Sequence, residues 1–201
     1  MSDGRVDGAV RELEVLGVAG SLRRASFNRA LLRAAVELAP LSMRIRVFEI
    51  GDLPLYNADL DTDEHRPAAV REWKEAVSRA DGVLLVSPEY NHSVPGVMQN
   101  ALDWASRPSM KSPFRGKPVG IMGASGGLFG TARGQQQLKL VLMSMLAYVM
   151  PHPGVAVTQA ATRFDAEGTL VDATTREFVT DYLTELEAWI RRFAVDSPTA
   201  S

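Results

Sequence analysis

Three short stretches of this chain combine residue types that chemistry can use. The first is Gly20-Ser21-Leu22-Arg23-Arg24-Ala25-Ser26-Phe27-Asn28, which follows an apolar run and opens an amphipathic one. A strand-to-helix turn of this kind leaves backbone N–H groups free at the positive end of a helix, where an anion is stabilised. Ser21 and Ser26 add hydroxyls, Arg23 a charge-assisted donor and Asn28 an amide. The same residues also read as a plain N-cap at Ser26 flanked by surface arginines. Neither a Walker A loop nor a G-x-G-x-x-G fingerprint is spelled here.

The second stretch is Pro88-Glu89-Tyr90-Asn91-His92-Ser93-Val94-Pro95-Gly96. Two prolines and a glycine impose an irregular backbone whose polar groups fall outside any ladder. A flat heteroaromatic ring with polar edges would satisfy them, with Tyr90 against its face. His92 has no neighbouring acid to orient it and reads as exposed and idle. The third stretch, Gly123-Ala124-Ser125-Gly126-Gly127-Leu128-Phe129-Gly130-Thr131, is dense in glycine and permits close approach of backbone to a ligand. It also spells G-x-S-x-G, the mark of a serine hydrolase using Ser125. That reading fails on order, because His152 is the only later histidine and no acid lies between the two.

Composition narrows the classes further. With 46% hydrophobic residues, 23% charged and a formal net charge of -2, the chain lacks the basic excess that nucleic acid demands. It also lacks the strong acidity of an electron carrier that docks on a protein partner. No apolar run reaches the length of about 18 residues that spans a membrane, and the polar start is unlike a signal peptide. A cytoplasmic protein is expected. Cysteine is absent, which removes disulfides, thiolate metal sites and a cysteine nucleophile. His65, His92 and His152 share no metal-ligand spacing.

The elements that must position these loops alternate in type. Strand-like apolar runs cover residues 13–19, 44–50, 82–87, 118–122 and 154–157. Helical periodicity covers 27–39, 67–79, 97–106, 132–149 and 175–193. Five strands interleaved with five helices make an α/β domain, a parallel sheet wrapped by right-handed crossovers. Strand count favours the flavodoxin-like order 2-1-3-4-5 over the six-stranded Rossmann arrangement. Ligands then sit beyond the carboxyl ends of strands, where all three loops fall. Residues 13–194 form the domain, with 1–12 and 195–201 expected as flexible ends.

Together the loops resemble the NADPH-dependent FMN reductase family, which includes quinone, chromate and azo-dye reductases. The specific part is PEYNHSVPGVMQNALDW (88–104), close to the family's P-E-Y-N-x-S-x-P-G-x-x-x-N-A-x-D-W. AGSLRRASFN (19–28) matches its G-S-x-R-x-x-S-x-N phosphate loop, and ASGGLFGTAR (124–133) fits its S-x-G-x-x-G-x-x-R region with shifted glycines. The resemblance implies a flavodoxin-like three-layer sandwich that binds FMN. Ser21, Arg23, Ser26 and Asn28 would hold the phosphate. Pro88, Glu89, Tyr90, Asn91 and Ser93 would line the ring, and Ser125, Gly126 and Gly127 would close its other side. It implies ping-pong hydride transfer from NADPH or NADH to a small acceptor such as a quinone, free FMN, chromate or an azo compound. It also implies that no side chain acts as a catalytic acid or base and that the assembly is a homodimer or homotetramer. The apolar, Met-rich segment 138–150 suits burial in such a contact and suits core packing equally.

Overall fold

Apolar runs bounded by turn residues become the strands, and burial tracks how many layers cover each one. In the computed structural model, which describes residues 11–194, β3 (Gly82–Val86) and β4 (Pro118–Ala124) are buried throughout. β1 (Leu13–Ala19) is nearly so. β2 (Met43–Phe48) begins by alternating, Met43 and Ile45 inside and Arg44 and Arg46 in solvent, as an outermost strand does. The parallel order is 2-1-3-4-5, as the flavodoxin-like reading expects. Ala19 pairs with Val86, and Val86 with Met122. The loops after β1, β3 and β4 therefore emerge side by side. Most of the N-terminal segment expected to be flexible (1–10), and all of the C-terminal one (195–201), lie outside the described residues.

The helices bury periodic faces on both sides of the sheet. α1 (Phe27–Leu38) and α5 (Ala173–Arg191) pack on one side through Leu31, Ala35, Val179, Leu183 and Leu186. α2 (Ala68–Arg79), α3 (Gly96–Ala105) and α4 (Ala132–Ser144) pack on the other through Trp73, Val77, Leu102, Leu138 and Leu142. Trp73 and Trp104 are fully buried and their indole N–H groups donate to the Ala101 and Pro54 carbonyls at 2.7 Å, so these two large core side chains carry no unsatisfied donor.

One element differs from expectation. The helix expected over 132–149 stops at Ser144, because the early part of β4 captures the backbone that follows. Leu146 takes a left-handed φ of 61°, and its carbonyl accepts from Gly116 N–H at 2.8 Å. Tyr148 and Met150 N–H then donate to Lys117 and Val119 carbonyls. The fifth position of the sheet is thus split. β5 (Tyr148–Val149) pairs with the start of β4 and β6 (Val155–Val157) with its end, separated by a Pro-His-Pro-Gly kink. The sheet gains a sixth strand without changing its order.

Candidate active site

The first loop is shaped by one cap. Ser26 Oγ accepts the Asn28 N–H at 3.2 Å and starts α1, while Ser26 N–H closes a turn onto the Arg23 carbonyl at 3.2 Å. Among the described residues, the N–H groups of Leu22, Arg23, Arg24, Ala25 and Phe27 find no partner. They lie at the positive end of a 12-residue helix. Arg23 is exposed and forms no ion pair among the described residues. Ser21 is buried at the loop's start. Unpaired donors with a guanidinium beside them suit a dianionic group.

Asn28 does something the sequence does not announce. Its Nδ2 donates to the Ala124 carbonyl at 2.8 Å, and its Oδ1 accepts the Ala124 N–H at 2.9 Å. Both ends of the amide therefore hold the end of β4, and Asn28 fixes the first loop against the third. Both atoms of the side-chain amide thus engage β4. Gly20 brings in the second loop: a Cβ there would lie 3.0 Å from Ser87 Oγ and 3.3 Å from Pro88 Cδ. A glycine there lets β1 and β3 deliver their loops close together without pressing on those side chains.

In the second loop, Tyr90 and Ser93 exchange backbone hydrogen bonds of 3.1 and 2.9 Å. Asn91 and His92 between them have φ of 50° and 62°. Two consecutive left-handed residues define a two-residue hairpin turn of the primed kind, in which Asn is favoured. The N–H groups of Glu89, Asn91 and His92 find no partner among the described residues. Glu89 points inward. Its Oε2 accepts the Gly134 N–H at 2.9 Å, capping α4, whose own Thr131 makes no side-chain cap. The sequence reading of His92 as unaccompanied is corrected: its Nδ1 lies 2.6 Å from Arg133 Nη1 and 4.0 Å from Glu89 Oε1.

The third loop is held at its root and open at its tip. A Cβ at Gly123 would collide with the Ser87 carbonyl and with Thr131. Ser125 N–H donates to the Val157 carbonyl, and the Ser125 carbonyl accepts from Ala160. Its Oγ accepts the Gly127 N–H at 3.2 Å. A Cβ built on Gly126 meets nothing within 4 Å, and the Gly126 N–H is unpaired among the described residues. Leu128 (74%) and Phe129 (67%) stand exposed on the rim. Arg133, absent from the sequence-derived set, lies with its guanidinium 4.7 Å from the Phe129 ring centre. Its sequence signal was only the last position of the G-x-x-G-x-x-R pattern.

The three adjoining loops therefore bring unpaired N–H groups and an exposed guanidinium to one end of the sheet. The chain's residues fit a planar heterocycle joined to a phosphate. A model of the NADPH-dependent FMN reductase family matches residues 13–162. The chain belongs to that family. An NAD(P)H-dependent FMN reductase of Pseudomonas aeruginosa is 43% identical over 181 residues, covering 90% of this chain and 97% of that one. A 2-hydroxy-1,4-benzoquinone reductase of a Burkholderia species is 42% identical over 179 residues, covering 89% and 97%. The structure of a flavoenzyme NAD(P)H:(acceptor) oxidoreductase from Paracoccus denitrificans superposes with a TM-score of 0.83 at 34% identity, covering 91% of this chain and all of that one. A separate cleft of about 620 Å³ runs between β6 and α5, lined by Val155, Val157, Phe178 and Tyr182 among others. It touches none of the three loops. No helix among the described residues is long and apolar enough to cross a membrane.

Proposed function

We propose that this protein is an FMN-dependent NAD(P)H oxidoreductase that reduces quinones or similar small acceptors. The observation that carries the reading is the array of unpaired backbone N–H groups on three adjoining loops, together with an exposed arginine at a helix start. Backbone donors buried under a ligand need partners. A ribityl phosphate on the first loop and a polar-edged ring between the second and third would supply them.

Bound FMN supplies the two-electron redox chemistry, and the protein supplies position and electrostatics. Ser21, Arg23 and Ser26 hold the phosphate with the free N–H groups of residues 22–25, and Asn28 locks that loop to β4. Pro88 stiffens the floor. Glu89 and Asn91 offer N–H groups to the ring edge, and Tyr90 and Ser93 keep the turn in shape. Ser125, Gly126 and Gly127 face it from the other side without a side chain intruding. Leu128 and Phe129 give the open side an apolar rim, against which a nicotinamide or a quinone can stack while water is excluded.

The assembly in this reading is a homodimer or homotetramer. Leu140, Met143, Leu146 and Tyr148 form a run of exposed apolar side chains along α4 and the adjoining sheet edge, which a second copy would cover. Sedimentation of the purified protein checks this, with a monomer at micromolar concentration as the contrary result. A reduced nicotinamide as donor supports a cytoplasmic setting.

The deciding experiment is spectroscopic. Protein saturated with FMN should retain the flavin absorption bands through gel filtration. It should bleach under anaerobic NADPH or NADH and recover on adding a quinone, with saturable turnover. A titration with FMN that shows no uptake overturns the proposal. Uptake and bleaching without turnover would make it a carrier.

A further inference from the structure

We infer that His92 and Arg133 are a positioning pair. A neutral His92 imidazole accepts from Arg133, holds the turn at residues 90–93 against the start of α4, and so sets the gap between the second and third loops. The inference rests on the flavin reading of those loops. A guanidinium carries only donors. Arg133 Nη1 at 2.6 Å from His92 Nδ1 therefore requires a lone pair on Nδ1, with the ring proton on Nε2. A protonated ring has no lone pair to offer and places a second cation beside the first.

The geometry gives that protonated form another destination. Glu89 Oε1 lies 4.0 Å from the same Nδ1, while Oε2 of that carboxylate holds the Gly134 N–H. Glu89 from the same loop and Arg133 from α4 are the titratable groups facing His92. On the far side, Arg133 is stacked on Phe129, so the chain of contacts runs from the third loop through Arg133 to the second. The turn that carries His92 has two left-handed residues in succession and two backbone hydrogen bonds across its base. It has little slack, and a moving imidazole moves the unpaired N–H of Asn91 with it. A ring protonated on both nitrogens cannot accept from Arg133, so acid opens the pair.

The test compares wild type with His92→Asn and Arg133→Leu. Asn keeps an acceptor near the Nδ1 position, tolerates a left-handed φ, and does not titrate. Flavin-free protein is read by hydrogen exchange over residues 90–93, and FMN affinity is measured from pH 8 to 5.5. In wild type, exchange in the turn should speed up and affinity fall by about fivefold as pH drops, the scale of one exposed charge-assisted contact. Arg133→Leu should show the fast, weak behaviour at every pH, and His92→Asn the slow, tight behaviour. The phosphate of FMN titrates in all three proteins, so the ratio of wild type to His92→Asn isolates the imidazole. Profiles of wild type and both variants that superimpose overturn the inference. If no protein takes up flavin, the flavin reading has failed, and the exchange data alone decide whether the pair positions the turn.

Discussion

At the amino-terminal end of the sheet, several charged side chains are closed on neighbouring polar groups. Arg11 makes a two-point pair with Asp81, which also accepts the Glu14 N–H at 2.8 Å. Lys117 donates to the Ser78 and Ala80 carbonyls, Arg191 to those of Arg11 and Ser42, and Glu187 accepts from Ser42. At the carboxyl end, the N–H groups of residues 22–25, 89, 91, 92 and 126 point to no protein partner among the described residues. Both ends are built from the same strands. In the flavin reading, the open end is the one a ligand would complete.

That contrast can be broken most forcefully at Gly123→Val. The added side chain meets the Ser87 carbonyl and Thr131, so overpacking should cost about 3 kcal/mol of stability and displace the third loop. Urea unfolding followed by FMN titration checks both effects. Asn28→Ala comes next. It leaves the buried Ala124 N–H and carbonyl without their partners, and should cost about 2 kcal/mol in unfolding free energy. An unchanged midpoint would remove the lock between the first and third loops.

Arg23→Ala sharpens the comparison, because the carboxyl end should lose ligand affinity without losing stability. We expect FMN binding weaker by about 1.5–3 kcal/mol and a melting curve that overlays wild type. Full occupancy with unchanged affinity would contradict the phosphate seat. The smallest effect belongs to the opposite end. Burial alone would raise the Asp81 carboxyl, yet the Arg11 guanidinium and then the Glu14 N–H hold it below the usual carboxylate range. A depressed carboxyl contributes stability that is present above about pH 4 and is lost as pH falls through the lower folded value. Asp81→Asn should flatten that part of the acid limb by about 1 kcal/mol or less, since the pair faces solvent. Flavin binding at pH 7 should not change.

Much of the domain was legible because its signals are local. Gly82–Val86 is a continuous apolar run, Ser26 is a capping residue in front of a 3.6-periodic helix, and the three loops carry their glycines and prolines openly. What stayed hidden depends on contacts distant in sequence. Nothing at Leu146 or Ala147 marks a stop, so the run through Val149 reads as helix until β4 claims it. The amide of Asn28 reads as a ligand group, and its 96-residue reach to Ala124 has no signal in the sequence. The side chain of Glu89 caps α4 across 45 residues, and His92 gained its company only through Arg133.

The divided outer position of the sheet has a consequence for what the protein avoids. An uninterrupted border strand presents a row of donors and acceptors that can template a foreign chain and seed fibrils. Here that border is cut into pieces of two and three residues by Pro151, Pro153 and the left-handed Gly154, and the Trp189 indole already occupies the Tyr148 carbonyl at 2.9 Å. A polypeptide seeking to extend the sheet would find no straight stretch long enough to zip against, which guards the folded protein against aggregation along that margin.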